Sequence, residues 1–354
     1  MSRILATTAV FAVLAAPAAA QSTAPAASKA THSSRAKQPA SWAQREIRIV
    51  VSHGLMAKSV STFRPSDPLT RGALSGLVSG LSDTATGPTT QSAAPVTMAQ
   101  LDASLVRVLN LEDAAIAFTA AARQAGLAPP SRFGTETVAR LLGLRTNHPT
   151  QLDSLELLPS QPATRAEAAY SAAQILRFGG WEAEQVEELA QEFQLPSLTV
   201  WQKRVLTTAV RFIGFPYVWG GTSERAEAPF GVQAPGGFDC SGFVWRVFKL
   251  QAYPGGSSLS TTLKGRTTFA MSGEVPAAKR VPFARLKPAD VLFWGARGRA
   301  SKPGQVDHTG IYLGNDWFIH SSGYGVALAP LTGWYKQRFA WARRPLAEAG
   351  LASL

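Results

Sequence analysis

Cys240 is the only cysteine in 354 residues, and it lies in the run Gly237-Phe238-Asp239-Cys240-Ser241-Gly242-Phe243. Exported proteins use cysteines mostly in pairs, as disulfides, so a lone thiol in such a chain is a buried hydrophobe or a reagent. A reagent needs a base. Of the five histidines, His32, His53 and His148 lie in the first half, whereas His308 and His320 follow the cysteine. His308-Thr309-Gly310-Ile311-Tyr312-Leu313 reads as a strand, Gly314-Asn315-Asp316 as a turn and Trp317-Phe318-Ile319-His320 as the return strand. An antiparallel hairpin of this kind brings His320 back near His308, a base with a second group to hold its tautomer. A Cys-His-His zinc site is the other reading of these residue types, although no ligand pair stands at a short metal-type spacing.

The position of the thiol sharpens the nucleophile reading. Asp239-Cys240-Ser241-Gly242 runs directly into Phe243-Val244-Trp245-Arg246-Val247-Phe248, which predicts a buried helix with Cys240 in its first turn. Helix N-termini favour anions and offer N–H groups to an oxyanion, so the expected thiol pKa is depressed.

The surrounding elements predict an α+β chain: an all-α N-terminal region, then a C-terminal domain of helices and antiparallel strands. Strands are expected at Val291 to Trp294, His308 to Leu313, Trp317 to His320 and Gly325 to Leu328. In the first half a phrase recurs: Asp67-Pro68-Leu69-Thr70-Arg71, Ala94-Pro95-Val96-Thr97-Met98 and Gln161-Pro162-Ala163-Thr164-Arg165. Each sets a threonine to cap an apolar-periodic stretch, Ala73 to Leu81, Leu101 to Leu109 and Ala168 to Leu176. Thr164 with Glu167, and more loosely Thr97 with Gln100, has capping-box spacing. Three copies imply a structural repeat. Trp42 to Gly54 reads as an amphipathic helix. Trp181 to Phe193 reads as an acidic linker helix. Ser197 is the expected cap of the next helix, on which Val200, Trp201, Val205, Ala209 and Phe212 share a face.

Composition bounds the setting. A short positive start, the apolar Ile4 to Ala16 and the small residues Pro17 to Ala20 predict a signal peptide over 1–20. An Ala/Ser/Pro-rich flexible leader is expected over 21–40. The boundaries that follow are a helical region at 41–178, a linker helix at 179–198 and a catalytic domain at 199–346. The net charge is +12, and residues 201–354 hold 19 Lys and Arg against 8 Asp and Glu. A basic field in an exported protein suits polyanionic wall polymers or acidic peptides. Nucleic acid is the rival partner, but no nucleic-acid module is recognisable and export argues against it.

Two stretches resemble known families. The first half resembles the S-layer homology module, a helical repeat used in threes to hold bacterial cell-wall polymers. Trp42 to Leu81 matches best, and the middle unit carries Met98 where that family usually has arginine. The resemblance makes Arg71 and Arg165 candidate contacts to an anionic secondary wall polymer, with an ordinary surface charge at a helix start as the alternative. The second half resembles the NlpC-type, papain-like cysteine peptidases that cut peptidoglycan peptides. Five phrases carry this: Gly214 to Gly221, Phe238 to Gly242, Arg266-Thr267-Thr268, Leu286 to Phe293, and His308 to Gly314 with Ile319-His320. The resemblance implies that Cys240 is the nucleophile, His308 the general base and His320 the orienting third residue. It further implies that Tyr217 lies beside the thiol, and that Asp239 and Ser241 contact the free amine of the substrate. No metal or organic cofactor is implied. Ala289 stands where the family has glycine, and Ser223 to Pro235 is an insertion. The expectation is a secreted, wall-associated endopeptidase that cuts stem peptides after D-glutamate. The rivals are an amidase or transpeptidase on the same site, and a silent wall-binding protein.

Overall fold

A computed structural model describes residues 41–82, 91–148 and 156–352; the expected signal peptide and leader lie outside the described residues. Among the described residues eight α-helices come first: α1 (Gln44–Ser52), α2 (Arg71–Leu81), α3 (Met98–Val108), α4 (Glu112–Gln124), α5 (Phe133–Leu141), α6 (Arg165–Ile175), α7 (Trp181–Glu192) and α8 (Val200–Arg211). The three repeated phrases do more than start helices. They form a ring, because Leu69 N–H donates to Ala163 O (2.7 Å), Ala163 N–H to Val96 O (2.8 Å) and Val96 N–H to Leu69 O (3.0 Å). A second ring position repeats the pattern: Arg71 N–H bonds Ala94 O, Met98 N–H bonds Gln161 O and Arg165 N–H bonds Asp67 O. Each proline leaves its own nitrogen without a proton, so the residue after it supplies the donor that closes the ring.

The caps differ in detail from expectation. Thr70, Thr97 and Thr164 all accept from the third helical N–H, but only Thr97 with Gln100 forms a reciprocal box. Glu167 instead turns inward to Arg145 and His148. Thr199, not Ser197, caps α8, with Gln202 completing the box. Val200 lies off the buried face of that helix and is exposed, while Trp201, Val205, Ala209 and Phe212 are buried.

After α8 come two short paired strands, β1 (Thr222–Ser223) and β2 (Gly237–Phe238), then α9 (Cys240–Trp245), continued by a wide turn over Arg246–Leu250. The main sheet is β3 (Val291–Gly295), β4 (Val306–Gly314), β5 (Trp317–Ser322), β6 (Gly325–Pro330) and β7 (Phe339–Arg343), in the order β6-β5-β4-β3-β7 with every pair antiparallel. β7 is the strand the alternation rule missed. It carries the arginine Arg343, which is buried against Glu274 and Glu348.

The helical half and the sheet half share one core. Phe118 of α4, Phe193 after α7 and Trp317 of β5 meet with ring centroids 5.0–5.9 Å apart. Burial of each such side chain contributes about 1.5–3 kcal/mol. The segment expected as a linker helix is therefore packed, with Val186, Ala190 and Phe193 all buried.

Candidate active site

Cys240 is the first residue of α9, and Asp239 caps that helix through Oδ1, which accepts from Gly242 N–H at 2.6 Å. Gly242 is required because a Cβ there would stand 1.9 Å from Gly221 O. The chain around Tyr217 is zipped to the cap: Phe238 N–H donates to Pro216 O, and Val218 N–H to Phe238 O. Ser321 of β5 donates its hydroxyl to Phe238 O at 2.6 Å, tying the sheet to the same point.

The hairpin expectation holds with one refinement. In the β4–β5 register Ile311 faces Ile319, so His308 and His320 are not directly opposite but diagonal on one face. His308 Nε2 and His320 Nδ1 are 2.7 Å apart. Trp294, Phe318 and Tyr335 pack around the two rings. Burial in this apolar setting pushes His308 down to about 4 and His320 well below its ordinary value, so both rings are neutral at neutral pH. With His308 Nε2 taken by His320, Nδ1 is the nitrogen left for a thiol.

The thiol departs from expectation. Burial, then the nearby Asp239 carboxylate, push Cys240 up to about 12, against the smaller pull of backbone N–H groups from Ser241 and Thr309. Desolvation outweighs the helix terminus in a helix of six residues. The resting pair is thus neutral thiol and neutral imidazole. The Tyr217 hydroxyl is likewise held protonated, through burial first and Cys240 and Asp239 next.

Cys240, His308, Tyr217, Asp239 and Ser241 line one cleft of about 460 Å³. Sequence reasoning gave Arg266 no role, although it stood in a matched phrase. Its guanidinium reaches Asp239 Oδ1 (3.1 Å), Asp239 Oδ2 (3.2 Å) and Ser241 Oγ (2.6 Å). Asp239 Oδ2 also accepts from Gly220 N–H at 2.9 Å. Both residues expected to hold a substrate amine are thereby engaged within the chain, Asp239 as a cap and an arginine partner.

Arg140 of α5 was also beyond sequence reach. It donates to Gly214 O (2.6 Å), to Tyr324 O and to Glu156 (2.8 Å), with Glu136 at 3.5 Å. Gly214 precedes Tyr217 by three residues, and Tyr324 follows Gly323 of the cleft wall. Asn147 N–H bonds Gly323 O at 2.7 Å, so the helical half holds the cleft edge at two points. Beside Arg140, Arg145 gathers Glu156, Glu167 and Asp102, all buried, and donates to Met98 Sδ at 3.5 Å. Met98 is itself fully buried, so its side chain packs into this cluster instead of reaching solvent. Burial raises Asp102 to about 8.

Arg71 and Arg165 occupy equivalent ring positions but different surroundings. Arg71 is exposed. Arg165 lies over the Phe63 ring and donates to Phe63 O (2.7 Å) and Met56 O (2.6 Å), so its guanidinium serves the fold of the first unit.

The model of the NlpC/P60 family matches residues 214–344, and that of the S-layer homology domain matches residues 37–74. Residues 214–344 are thus an NlpC/P60 domain, and an S-layer homology segment precedes it. The chain is 30% identical over 128 residues to the gamma-D-glutamyl-L-lysine dipeptidyl-peptidase of Bacillus subtilis, covering 36% of this chain and 34% of that protein. It is 33% identical over 142 residues to the probable peptidoglycan endopeptidase LytE of the same organism, covering 40% and 34%. The chain spans about a third of the length of these curated relatives. An NlpC/P60 family protein of Bacillus cereus aligns at 26% identity over 44% of this chain and 43% of that one, with a TM-score of 0.31.

Proposed function

We propose that the protein is an exported, cell-surface cysteine peptidase that hydrolyses peptidoglycan stem peptides after D-glutamate. The observation that carries the reading is the 2.7 Å link from His320 to His308, which lines the same cleft as Cys240. In this reading Sγ of Cys240 attacks the peptide carbonyl while Nδ1 of His308 takes its proton, because neither a free thiolate nor an imidazolium is favoured beforehand. His308 keeps its other proton on Nε2 and donates it to Nδ1 of His320, which fixes the working tautomer. The Tyr217 hydroxyl and N–H groups of the first turn of α9 stabilise the oxyanion. His308 then protonates the leaving amine, the C–N bond breaks and a thioester remains. Water, deprotonated by His308, attacks the thioester, releases the carboxylic acid and returns the proton to sulfur.

In the same reading the repeats hold the enzyme to an anionic wall polymer, with Arg71 as the exposed guanidinium of the two candidates. Mass spectrometry of purified muropeptides after digestion tests the chemistry. New products ending in D-glutamate support it, and intact muropeptides with the wild-type protein refute it. Products that carry an added amine in place of water would make the enzyme a transferase.

A further inference from the structure

Two features of the cleft bear on the amino end of the substrate. The first is charge. The carboxylates on its lining are Asp239 and Asp307. Asp239 is bound by Arg266 and by two backbone N–H groups, and Asp307 by Arg338. At Asp239 a substrate ammonium would have to displace a guanidinium that holds both carboxylate oxygens, and a single point charge is a poor exchange for that fork.

The second feature is an aromatic rim. Trp219 (73% exposed), Phe230 (82%) and Phe269 (53%) all line the same cleft. Exposed aromatic surface gathered in a groove beside polar groups marks a ligand seat. Phe230 is on the insertion Ser223 to Pro235 and has φ of 52°, a left-handed conformation that a bulky side chain adopts only when its surroundings impose it. The insertion supplies that constraint. Glu227 Oε1 accepts from Thr222 and Ser223 N–H, Glu227 pairs with Ala234, and Glu224 is bridged to Arg211 and Arg246. The Phe230 ring lies so close over Gly220 that a Cβ there would meet it at 2.4 Å. Gly220 is itself held by Asp239 and Arg266. Rim and charge pair are one assembly.

We infer that this cleft takes stem peptides whose amino end is still acylated by the glycan strand, with Trp219, Phe230 and Phe269 seating a sugar ring. The inference rests on the proposed peptidase function. An amide-linked amino end carries no charge, so it asks nothing of Asp239. A pyranose presents polarised C–H groups that match the negative face of an aromatic ring.

The test uses three substrates with one stem peptide: a free amine, an N-acetyl cap and the intact disaccharide. The wild-type protein should show kcat/KM rising in that order, with the disaccharide form about tenfold above the free amine. In Phe230→Ala and Trp219→Ala the preference for the disaccharide form over the acetyl form should fall toward unity, chiefly through KM. Phe230→Tyr, which keeps the ring, should restore it. A wild-type preference for the free amine overturns the inference while leaving the peptidase reading intact. An unchanged disaccharide preference in both alanine variants, with native circular dichroism, does the same. Hydrolysis of none of the three refutes the peptidase reading and this inference with it.

Discussion

Replacing Arg140 by methionine tests whether the helical half is part of the catalytic unit or a separate anchor. The guanidinium is buried and serves Gly214 O, Tyr324 O, Glu156 and Glu136. Glu156 keeps Arg145 at 3.0 Å, but Glu136 is left as a buried carboxylate without its cation. The two carbonyls lose their donor as well. Removing one partner of a buried charge network costs about 3–5 kcal/mol. At about 2–4 °C per kcal/mol for a domain of this order, Tm should fall by roughly 10 °C, read by thermal unfolding. Activity should fall beyond any loss of folded protein, because Gly214 leads to Tyr217 and Tyr324 adjoins the cleft wall. The double variant Arg140→Met/Glu136→Leu removes the orphaned charge and should recover part of the stability but not the rate. A Tm within about 2 °C of wild type, or full activity on muropeptides at 25 °C, refutes the clamp.

Cys240→Ser should fold normally and give no muropeptide products, with His308→Ala close to it and His320→Ala retaining a small residual rate; reversed severity of the two histidines would exchange their roles. Because His308 is held near 4, the free base persists down to that pH, so kcat/KM should fall only as pH drops through about 4. Both histidines are depressed from about 6.5, so the unfolded chain takes up protons first. The stability they contribute is complete above about 6.5 and is lost as pH falls toward the folded values, which denaturant titrations between pH 7 and 4 should register. Ala289 has φ of 69°, and Ala289→Gly should raise stability by about 1 kcal/mol in urea unfolding. Arg71→Gln should weaken binding to purified cell walls without changing Tm, whereas Arg165→Gln should lower Tm first, since its guanidinium holds Met56 O and Phe63 O.

Local order was readable from the chain alone. Asp239 before Cys240 placed the thiol in the first turn of a helix, and three Pro-x-Thr phrases placed three helix starts, because capping depends on residues three apart. The His308–Asp316–His320 spacing placed two histidines on one hairpin, because the strand period is two. What depended on distant partners was not readable. The thiol rises instead of falling because the fold closes around it, and burial is a property of the whole packing. Asp239 is bound by Arg266, 27 residues away, as well as capping α9, and no local pattern announces that partner. Arg140 reaches Tyr324 across 184 residues, and no local pattern marks an arginine on a helix as a clamp for the far end of a sheet. Short-range rules follow from backbone geometry, which each residue carries with it. Long-range ones follow from desolvation and pairing, which exist only once the two halves have packed against each other.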